Sequence, residues 1–327
     1  MQKDKINTST LWLFLIALFL WGNNVVFAQK EPVYTQYMYN IGSFNPGYVG
    51  SVQSPEIMAS YRTQWLDVPG APRTIRAGAN IPMSNNINGI GFNLIQDALG
   101  PVSQTMINGA YSYQLKAGED IMLSFGINAG GSLLNVDFSK GDFEFQNEPL
   151  LNANELSKFY PVIGTGAFMY APNWYVGLSI PNLLTTAIYD DEVAVVEEDK
   201  SQVNFIGGYV FDLSENLRFK PALLVNYINH SPLNVNVSAN FQMNGAFTAG
   251  LSYRLGNAIS LMGGFQVSSE LFLGYAYDYT TNGLQSYNNG SHELVLKYYL
   301  GGSGGRSRNK SQKNKHKPKQ IDTPRFF

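Results

Sequence analysis

Near the end of the chain, Ser291-His292-Glu293 brings together the three residue types of a hydrolytic catalytic set. A serine nucleophile needs a histidine base within hydrogen-bonding distance, and a carboxylate orients that base. The surrounding segment, however, alternates like a β-strand, where neighbouring side chains point to opposite faces. Ser291 and His292 are therefore predicted to point apart. We expect no enzyme, and a surface barrel lipase is the enzymatic alternative to test.

A second candidate chemistry is metal binding by the carboxylates of Asp190-Asp191-Glu192 and Glu197-Glu198-Asp199. Calcium loops place their oxygen ligands at regular, alternating positions, and neither cluster has that spacing. We therefore predict a solvated acidic loop, with no metal and no cofactor. The chain has no cysteine, which excludes thiolate ligands, a cysteine nucleophile and a lipidated N-terminal cysteine.

The remaining candidate function is recognition of other proteins. Aromatic side chains on ordered loops favour partner binding, although the same residues suit the aromatic belt at a membrane interface. A basic C-terminal stretch ending in two phenylalanines is either a contact for an anionic periplasmic partner or a solubilising extension without a partner. The candidate partner-binding residues are Trp65, Phe143, Phe145, Phe159, Tyr160, Arg306, Arg308, Arg325, Phe326 and Phe327.

The elements that must position these residues begin with an export signal. Two lysines precede a short apolar run at 11–21, and Val26-Phe27-Ala28 places small residues where a signal peptidase reads them. The run is shorter than the roughly 20 residues that a membrane-spanning helix needs. We therefore predict a signal peptide over 1–28, cleaved between Ala28 and Gln29.

Apolar and polar residues then alternate almost everywhere up to residue 300. From Leu233 to Met243, apolar side chains alternate with Asn, Ser and Gln, a sorting that an extended strand produces and a helix does not. Charged residues make up only 14% of the chain, against about 25% on average, so the polar face suits a lumen. The fourteen candidate strands are 57–63, 73–81, 88–97, 104–115, 121–135, 161–170, 173–180, 203–212, 216–229, 233–243, 246–254, 258–267, 271–279 and 291–300.

The connections indicate how these strands are arranged. After even-numbered strands the connections are short, whereas after odd-numbered strands several are long, notably 136–160 and 181–202. Short periplasmic turns and long outer loops are typical of outer-membrane barrels. Because an open sheet edge is not viable in hydrocarbon, we predict a closed, antiparallel, all-β transmembrane barrel. The rival interpretation is a soluble β-sandwich, whose strands are usually shorter.

Charge is divided between the barrel and the tail. Residues 29–300 contain 12 Lys and Arg against 22 Asp and Glu, a net charge of −10, whereas the residues beyond 300 contain 8 against one, a net charge of +7. We predict an N-terminal periplasmic or plug segment over 29–56, a barrel over 57–300 and a disordered, basic periplasmic tail over 301–327. The turn Asn45-Pro46-Gly47-Tyr48 either seats the N-terminal segment in the lumen or is an ordinary connection.

Several motifs, in this order, resemble the PorP/SprF family. They are Gln36-Tyr37-Met38-Tyr39-Asn40, Asn45-Pro46-Gly47-Tyr48-Val49-Gly50-Ser51, Tyr61-Arg62-Thr63-Gln64-Trp65, Pro69-Gly70-Ala71-Pro72-Arg73-Thr74, Tyr175-Val176-Gly177-Leu178-Ser179-Ile180-Pro181-Asn182-Leu183-Leu184, Gly274-Tyr275-Ala276-Tyr277-Asp278 and Gly290-Ser291-His292-Glu293-Leu294. The similarity extends from Val33 to Leu300, which is nearly the whole predicted mature chain.

The resemblance implies a multi-pass barrel in the cell outer membrane of Bacteroidota, similar in architecture to the fourteen-stranded FadL-like barrels. It implies a non-enzymatic component of the type IX secretion and gliding machinery. Such a component binds and helps secrete or retain a large surface adhesin, or other cargo with a type B C-terminal domain. The implied partners are outer-membrane lipid, that cargo and periplasmic machinery proteins, and we expect no nucleic acid. The alternative, by fold analogy alone, is a FadL-like channel for small hydrophobic compounds.

Overall fold

The computed structural model describes residues 34–83, 87–137, 139, 155–184, 201–229 and 231–301. The predicted cleavage site at Ala28 and Gln29, both acidic clusters and the tail beyond residue 301 lie outside the described residues. Among the residues described, no helix is long and apolar enough to span a membrane. The regular structure is β-strand, with short 3₁₀ turns near the N-terminus and in one loop.

The strands follow the predicted segments closely. They are β1 (Glu56–Thr63), β2 (Arg73–Pro82), β3 (Asn88–Leu99), β4 (Val102–Lys116), β5 (Met122–Asp137), β6 (Glu155–Tyr170), β7 (Trp174–Ile180), β8 (Gln202–Tyr209), β9 (Phe211–Ser214), β10 (Leu217–Ile228), β11 (Asn234–Met243), β12 (Phe247–Arg254), β13 (Ala258–Gln266), β14 (Leu271–Thr280) and β15 (Ser291–Tyr299).

The sheet closes on itself. Successive strands pair antiparallel, except that β8 and β9 both pair with β10, and β1 also pairs with β15 along its whole length, from Glu56↔Tyr299 to Thr63↔His292. The strands β8 and β9 pair with successive parts of β10 and are separated by the buried Val210. They therefore occupy one position in the wall, and the predicted barrel of fourteen strands is confirmed.

The two ends of the barrel differ in their connections. Every connection after an even position in the wall is short. The long connections, 64–72, 138–154, 181–201 and 281–290, all follow odd positions and so join strands whose facing termini lie at the opposite end. In outer-membrane barrels the short turns face the periplasm. The end with the short turns is therefore the periplasmic end, and the other is the outer end.

The two faces of the wall have opposite chemistry. On β11, Val237 and Phe241 are 48% and 40% exposed, whereas Asn236, Ser238 and Asn240 are each 2% exposed. The apolar face therefore points outward and the polar face inward, the reverse of a soluble sandwich. In hydrocarbon an apolar exterior is favourable, and closure leaves no backbone group at a free edge.

One predicted boundary is wrong. The segment 136–160 was predicted to be a loop, but β5 continues to Asp137 and β6 begins at Glu155, so Phe159 and Tyr160 lie in a strand. Among the described residues, β7 pairs with β6 only from Thr165 onward. Within the described part of the chain, the strand at Pro161 therefore has a partner on the β5 side, where it pairs with Gly131, and an unpaired side toward β7, the kind of edge at which proline occurs in sheets.

The lipid-facing assignment predicts a depth-dependent penalty for charge on β12. Leu251 is 55% exposed on the outward face, so Leu251→Arg should destabilise the refolded protein in lipid vesicles by about 2–4 kcal/mol. Leu251→Ala is the matched control for the lost side chain. Urea titration of both variants checks this, and an equal stability for Arg and Ala at this position would contradict the assignment.

Candidate functional site

The lumen contains the segment 34–55, which carries no Asp, Glu, Lys, Arg or His. Its large side chains are almost fully buried against the inner wall. Those that are 8% exposed or less are Tyr37, Met38, Ile41, Phe44, Tyr48, Val49 and Val52. Most of them form one apolar cluster with buried side chains of the inner wall, among them Phe168, Ile206 and Leu224. The backbone of the segment takes hydrogen bonds from polar inward groups elsewhere on the wall.

A local turn fixes the middle of the segment. The side-chain oxygen of Asn45 accepts from the backbone N–H of Gly47 at 2.9 Å, and Pro46 starts a short 3₁₀ turn. The amide of Asn45 also donates to the carbonyl of Ala167 in the wall at 3.2 Å. Gly126 provides the space, because a Cβ there would overlap the backbone of Pro46.

The periplasmic end of the segment is in close backbone contact with the wall. Gly50 has a φ of +77°, and a Cβ on it would lie 2.5 Å from the Cα of Gly89. Its N–H donates to the side chain of Asn80 at 2.7 Å, and the hydroxyl of Ser112 donates to the carbonyl of Val49. Glycine is required at this contact both for the positive φ and for the close approach.

Aromatic contacts hold the centre of the segment. The ring of Tyr48 meets Phe168 edge to face at 5.3 Å, and Tyr39 packs on Phe272 with ring centroids 5.0 Å apart. The hydroxyls of Tyr37 and Ser238 are 2.9 Å apart. Burial raises the pKa of Tyr37 and Tyr39 well above its ordinary value, because a phenolate there would lose its water.

At the outer end, four buried charged residues of the wall form a compact group that we call the clamp, namely Arg62, Arg254, Asp278 and Glu293. Arg62 donates to Asp278 at 2.7 Å and to Glu293 at 3.1 Å, and Arg254 lies 3.6 Å from Asp278. All four are 5% exposed or less. Two positive and two negative charges therefore balance within the clamp.

The clamp holds the start of the described segment. The two carboxylate oxygens of Glu293 accept from the backbone N–H groups of Thr35 and Gln36, each at 3.0 Å. The hydroxyl of Thr35 donates to Asp278 at 2.7 Å and accepts from Arg62 at 3.1 Å and Arg254 at 3.2 Å. Charge-assisted bonds of this kind are stronger than bonds between neutral groups.

Sequence reasoning missed the clamp, although it had a signal. The four residues are charged and occupy inward positions of their strands, where a charged side chain needs a partner. Each also lies within three residues of a connection at the outer end. Arg62, Asp278 and Glu293 stand inside the motifs quoted above, where their individual roles were not predicted.

Two outer loops are joined to each other. The N–H of Leu66 donates to the carbonyl of Gly290 at 2.9 Å, and the N–H of Asn289 donates to the carbonyl of Leu66 at 3.2 Å. On either side of Leu66, Trp65 and Asp67 have φ values of +46° and +72°, a region that non-glycine residues rarely adopt. The surrounding bonds hold this strained backbone in place.

The structure places the predicted partner-binding residues in different environments. Trp65 is half-buried in the strained loop at the outer end. On β6, Phe159 is 68% exposed, whereas Tyr160 is 9% exposed and faces inward. These three are therefore not one surface. The remaining candidates, which lie outside the described residues, are Phe143, Phe145, Arg306, Arg308, Arg325, Phe326 and Phe327.

The possible catalytic set is divided between the two faces of β15. Ser291 is buried and its hydroxyl accepts from the N–H of Trp65, whereas the ring of His292 contacts the outward-facing Tyr275 at 2.6 Å. No group of three metal-ligating side chains occurs among the described residues. Glu293 is committed to the clamp, so this sequence does not assemble a triad.

The profile of the family described as "Type IX secretion system membrane protein PorP/SprF" matches residues 26–298. No curated protein matches the sequence.

Several solved structures resemble the chain at low identity, and these likenesses concern the barrel fold. The CymD monoaromatic hydrocarbon channel is 11% identical, with 80% of this chain and 93% of that chain covered and a TM-score of 0.48. The Ralstonia pickettii toluene transporter TbuX is 8% identical, with 78% and 91% covered and a TM-score of 0.46. A Pseudomonas aeruginosa FadL homologue is 11% identical, with 79% and 93% covered and a TM-score of 0.42.

The close contact between segment and wall predicts the effect of one added methyl group. Gly89→Ala should displace residues 49–51 from the wall and make the segment 34–55 sensitive to added protease in detergent, because its Cβ would overlap Gly50. Gly109→Ala is the control, since that Cβ meets no atom within 4 Å. Equal protection of the two variants would show that the contact at Gly50 does not hold the segment.

Proposed function

The chain belongs to the PorP/SprF family of type IX secretion system membrane proteins, and we propose that it holds a large secreted protein at the cell surface for that system. The family match and the fold establish that the chain is an outer-membrane β-barrel component of type IX secretion. Its family is a secretion-system membrane protein and not an enzyme class. The proposed cargo is a surface adhesin, including a gliding adhesin, or another protein with a type B C-terminal domain.

The observation that supports this proposal most directly is the occupied lumen. Along its length the segment 34–55 makes hydrogen bonds to inward groups of many wall strands, from Glu293 at the outer end to Asn80 at the periplasmic end. Between them, the carbonyl of Phe44 accepts from the hydroxyl of Ser179 at 2.7 Å. We propose that this segment is a plug. A plugged barrel acts through its surfaces, which suits recognition of a partner.

The outer surface offers an ordered site for that partner. The loop 64–72 is tied by backbone hydrogen bonds to the loop 281–290, so its side chains are presented without a large loss of loop entropy on binding. On the latter loop Tyr287 is 76% exposed, and aromatic residues are enriched in interfaces. We propose that the cargo contacts this loop pair and the exposed Phe159 on the projecting strand β6.

At the periplasmic end, charge favours a different partner. The tail beyond residue 300 carries a net charge of +7 and follows directly from β15, which ends at that side of the membrane. A basic segment attracts acidic surfaces over about a Debye length. We propose that the tail, including Arg306, Arg308, Arg325 and the terminal Phe326-Phe327, contacts periplasmic machinery.

Co-purification from native outer membranes tests the proposal as a whole. The protein should retain a large secreted protein, identified by mass spectrometry, and should show no steady conductance in planar bilayers. The alternative, a channel for small hydrophobic compounds, predicts uptake of such compounds and no retained cargo. Retention of no secreted protein under mild solubilisation would refute the docking function.

The exposed aromatic residue Phe159 is the part of the outer surface that a single substitution tests best. Phe159→Ala should reduce the amount of co-purified cargo several-fold, because exposed aromatic side chains commonly dominate interfaces. The matched control is Phe247→Ala, because Phe247 is 52% exposed on β12 at the periplasmic end. If both variants retain cargo equally, Phe159 belongs to the membrane-interface belt and the docking surface lies elsewhere.

Removal of the tail tests its proposed contact with periplasmic proteins. A chain ending at Gly301 should form the same barrel, because β15 and its pairing with β1 are complete at Tyr299. It should lose co-purified periplasmic proteins while keeping cargo at the outer end. Heat-dependent mobility in electrophoresis reports the folded barrel, and unchanged recovery of periplasmic proteins would exclude the tail as their contact.

A further inference from the structure

The clamp has an unusual division of charge between wall and segment. Every charged group in it belongs to the wall, whereas Thr35 and Gln36 contribute two backbone N–H groups, one hydroxyl and the side-chain amide of Gln36, which donates to the carbonyl of Glu293 at 3.2 Å. The segment 34–55 has no charged side chain at all. The contact is therefore not a salt bridge between wall and segment, but the binding of a neutral peptide by charged groups that are already paired.

Because all the charges of the clamp belong to the wall, Thr35 and Gln36 can leave it without separating an ion pair. Removing one partner from a buried ion pair is strongly unfavourable, because a charge is left without compensation. Here the pairs of Arg62 with Asp278 and Glu293, and of Arg254 with Asp278, lie wholly within the wall. Departure of Thr35 and Gln36 leaves these pairs in place and frees only hydrogen bonds that water or another peptide can replace.

The binding groups also select one kind of peptide. Glu293 needs two consecutive backbone N–H groups, and the cluster of Asp278, Arg62 and Arg254 needs a hydroxyl that can donate and accept at once. One residue earlier, the guanidinium of Arg76 lies 3.2 Å from the ring centroid of Tyr34. At the third position the side chain also matters, because Gln36 is 1% exposed and its amide donates to the carbonyl of Glu293. The ligand pattern is therefore an aromatic residue, then Ser or Thr, then a residue with an amide side chain such as Gln.

We propose that the clamp is a peptide-binding site at the outer end of the lumen, occupied at rest by Tyr34-Thr35-Gln36 of the same chain and open to exchange with a matching segment of an external protein. The external occupant is an extended segment with the aromatic–hydroxyl–amide pattern. Its assignment to the secreted cargo rests on the proposed function, whereas the site and its own occupant do not.

A peptide-binding measurement on the full chain in nanodiscs tests the site without any cargo. The probe is a fluorescent peptide with the sequence of residues 33–40, and the receptor is the Thr35→Val variant, whose own segment has lost the hydroxyl. We expect the probe to bind this variant at least tenfold more tightly than the unmodified chain, because the variant's own segment competes less well for the site. A tenfold change in affinity corresponds to about 1.4 kcal/mol. Thr35→Ser is the control that keeps the hydroxyl and should bind the probe as weakly as the unmodified chain.

The specificity of binding decides between this site and non-specific adsorption. A probe with Val in place of its threonine should not bind, and adding Glu293→Gln to the Thr35→Val variant should abolish binding of the original probe. Gln36→Pro provides a second receptor with a weakened occupant and an unaltered wall, in case Thr35→Val does not fold. Absence of binding to both receptors, or binding that ignores the probe's threonine and Glu293, would overturn the proposal.

This result is independent of the docking function. Specific binding of the probe together with absence of co-purified cargo would retain the peptide site and refute only its assignment to secretion.

Discussion

Hydrogen bonding of the backbone inside the membrane is the constraint on which the rest of this structure depends. In hydrocarbon each unpaired N–H or C=O costs several kcal/mol, so a sheet there must have no free edge. The pairing of β1 with β15 over residues 56–63 removes the edge that any open arrangement would leave. Closure then places one face of every strand in lipid and the other in an enclosed lumen.

The occupied lumen follows from closure. The inward face is polar, and a lumen lined with Asn, Ser and Gln needs water or protein to complete its hydrogen bonds. The uncharged segment 34–55 provides much of this, through backbone groups bonded to Asn80, Ser112 and Ser179. At the outer end the wall alone carries the charges, so the segment is held without contributing any charge of its own.

The sequence predicts the wall far better than its contents. Period-two alternation reflects strand geometry and the different environments of the two faces, lipid outside and a polar lumen inside. Together with the lengths of the connections, it located all fourteen strand positions of the wall. The error at Phe159 and Tyr160 arose because alternation does not show how far one strand extends beyond its neighbour, and β6 begins ten residues before Thr165, the first residue that pairs with β7. The break at Val210 likewise depends on how β8 and β9 share β10.

The contents of the lumen depend on contacts between residues distant in the chain. Thr35 meets Asp278 and Glu293 only after the barrel has closed, and no local pattern encodes that meeting. The turn at Asn45 was visible as a turn, but its contact with Ala167 was not. The link to type IX secretion came from the motifs shared with the family, because alternation and charge alone do not specify it.

Site-directed spin labelling on β11 tests the central claim most directly, since the chain has no native cysteine. Single cysteines at positions 236–242, labelled in lipid vesicles, are compared for collision with oxygen, which concentrates in hydrocarbon, and with a water-soluble nickel chelate. The account predicts high oxygen accessibility at 237, 239 and 241 and low accessibility at 236, 238, 240 and 242. A uniform profile, or preferential access of the chelate to the odd positions, would contradict it.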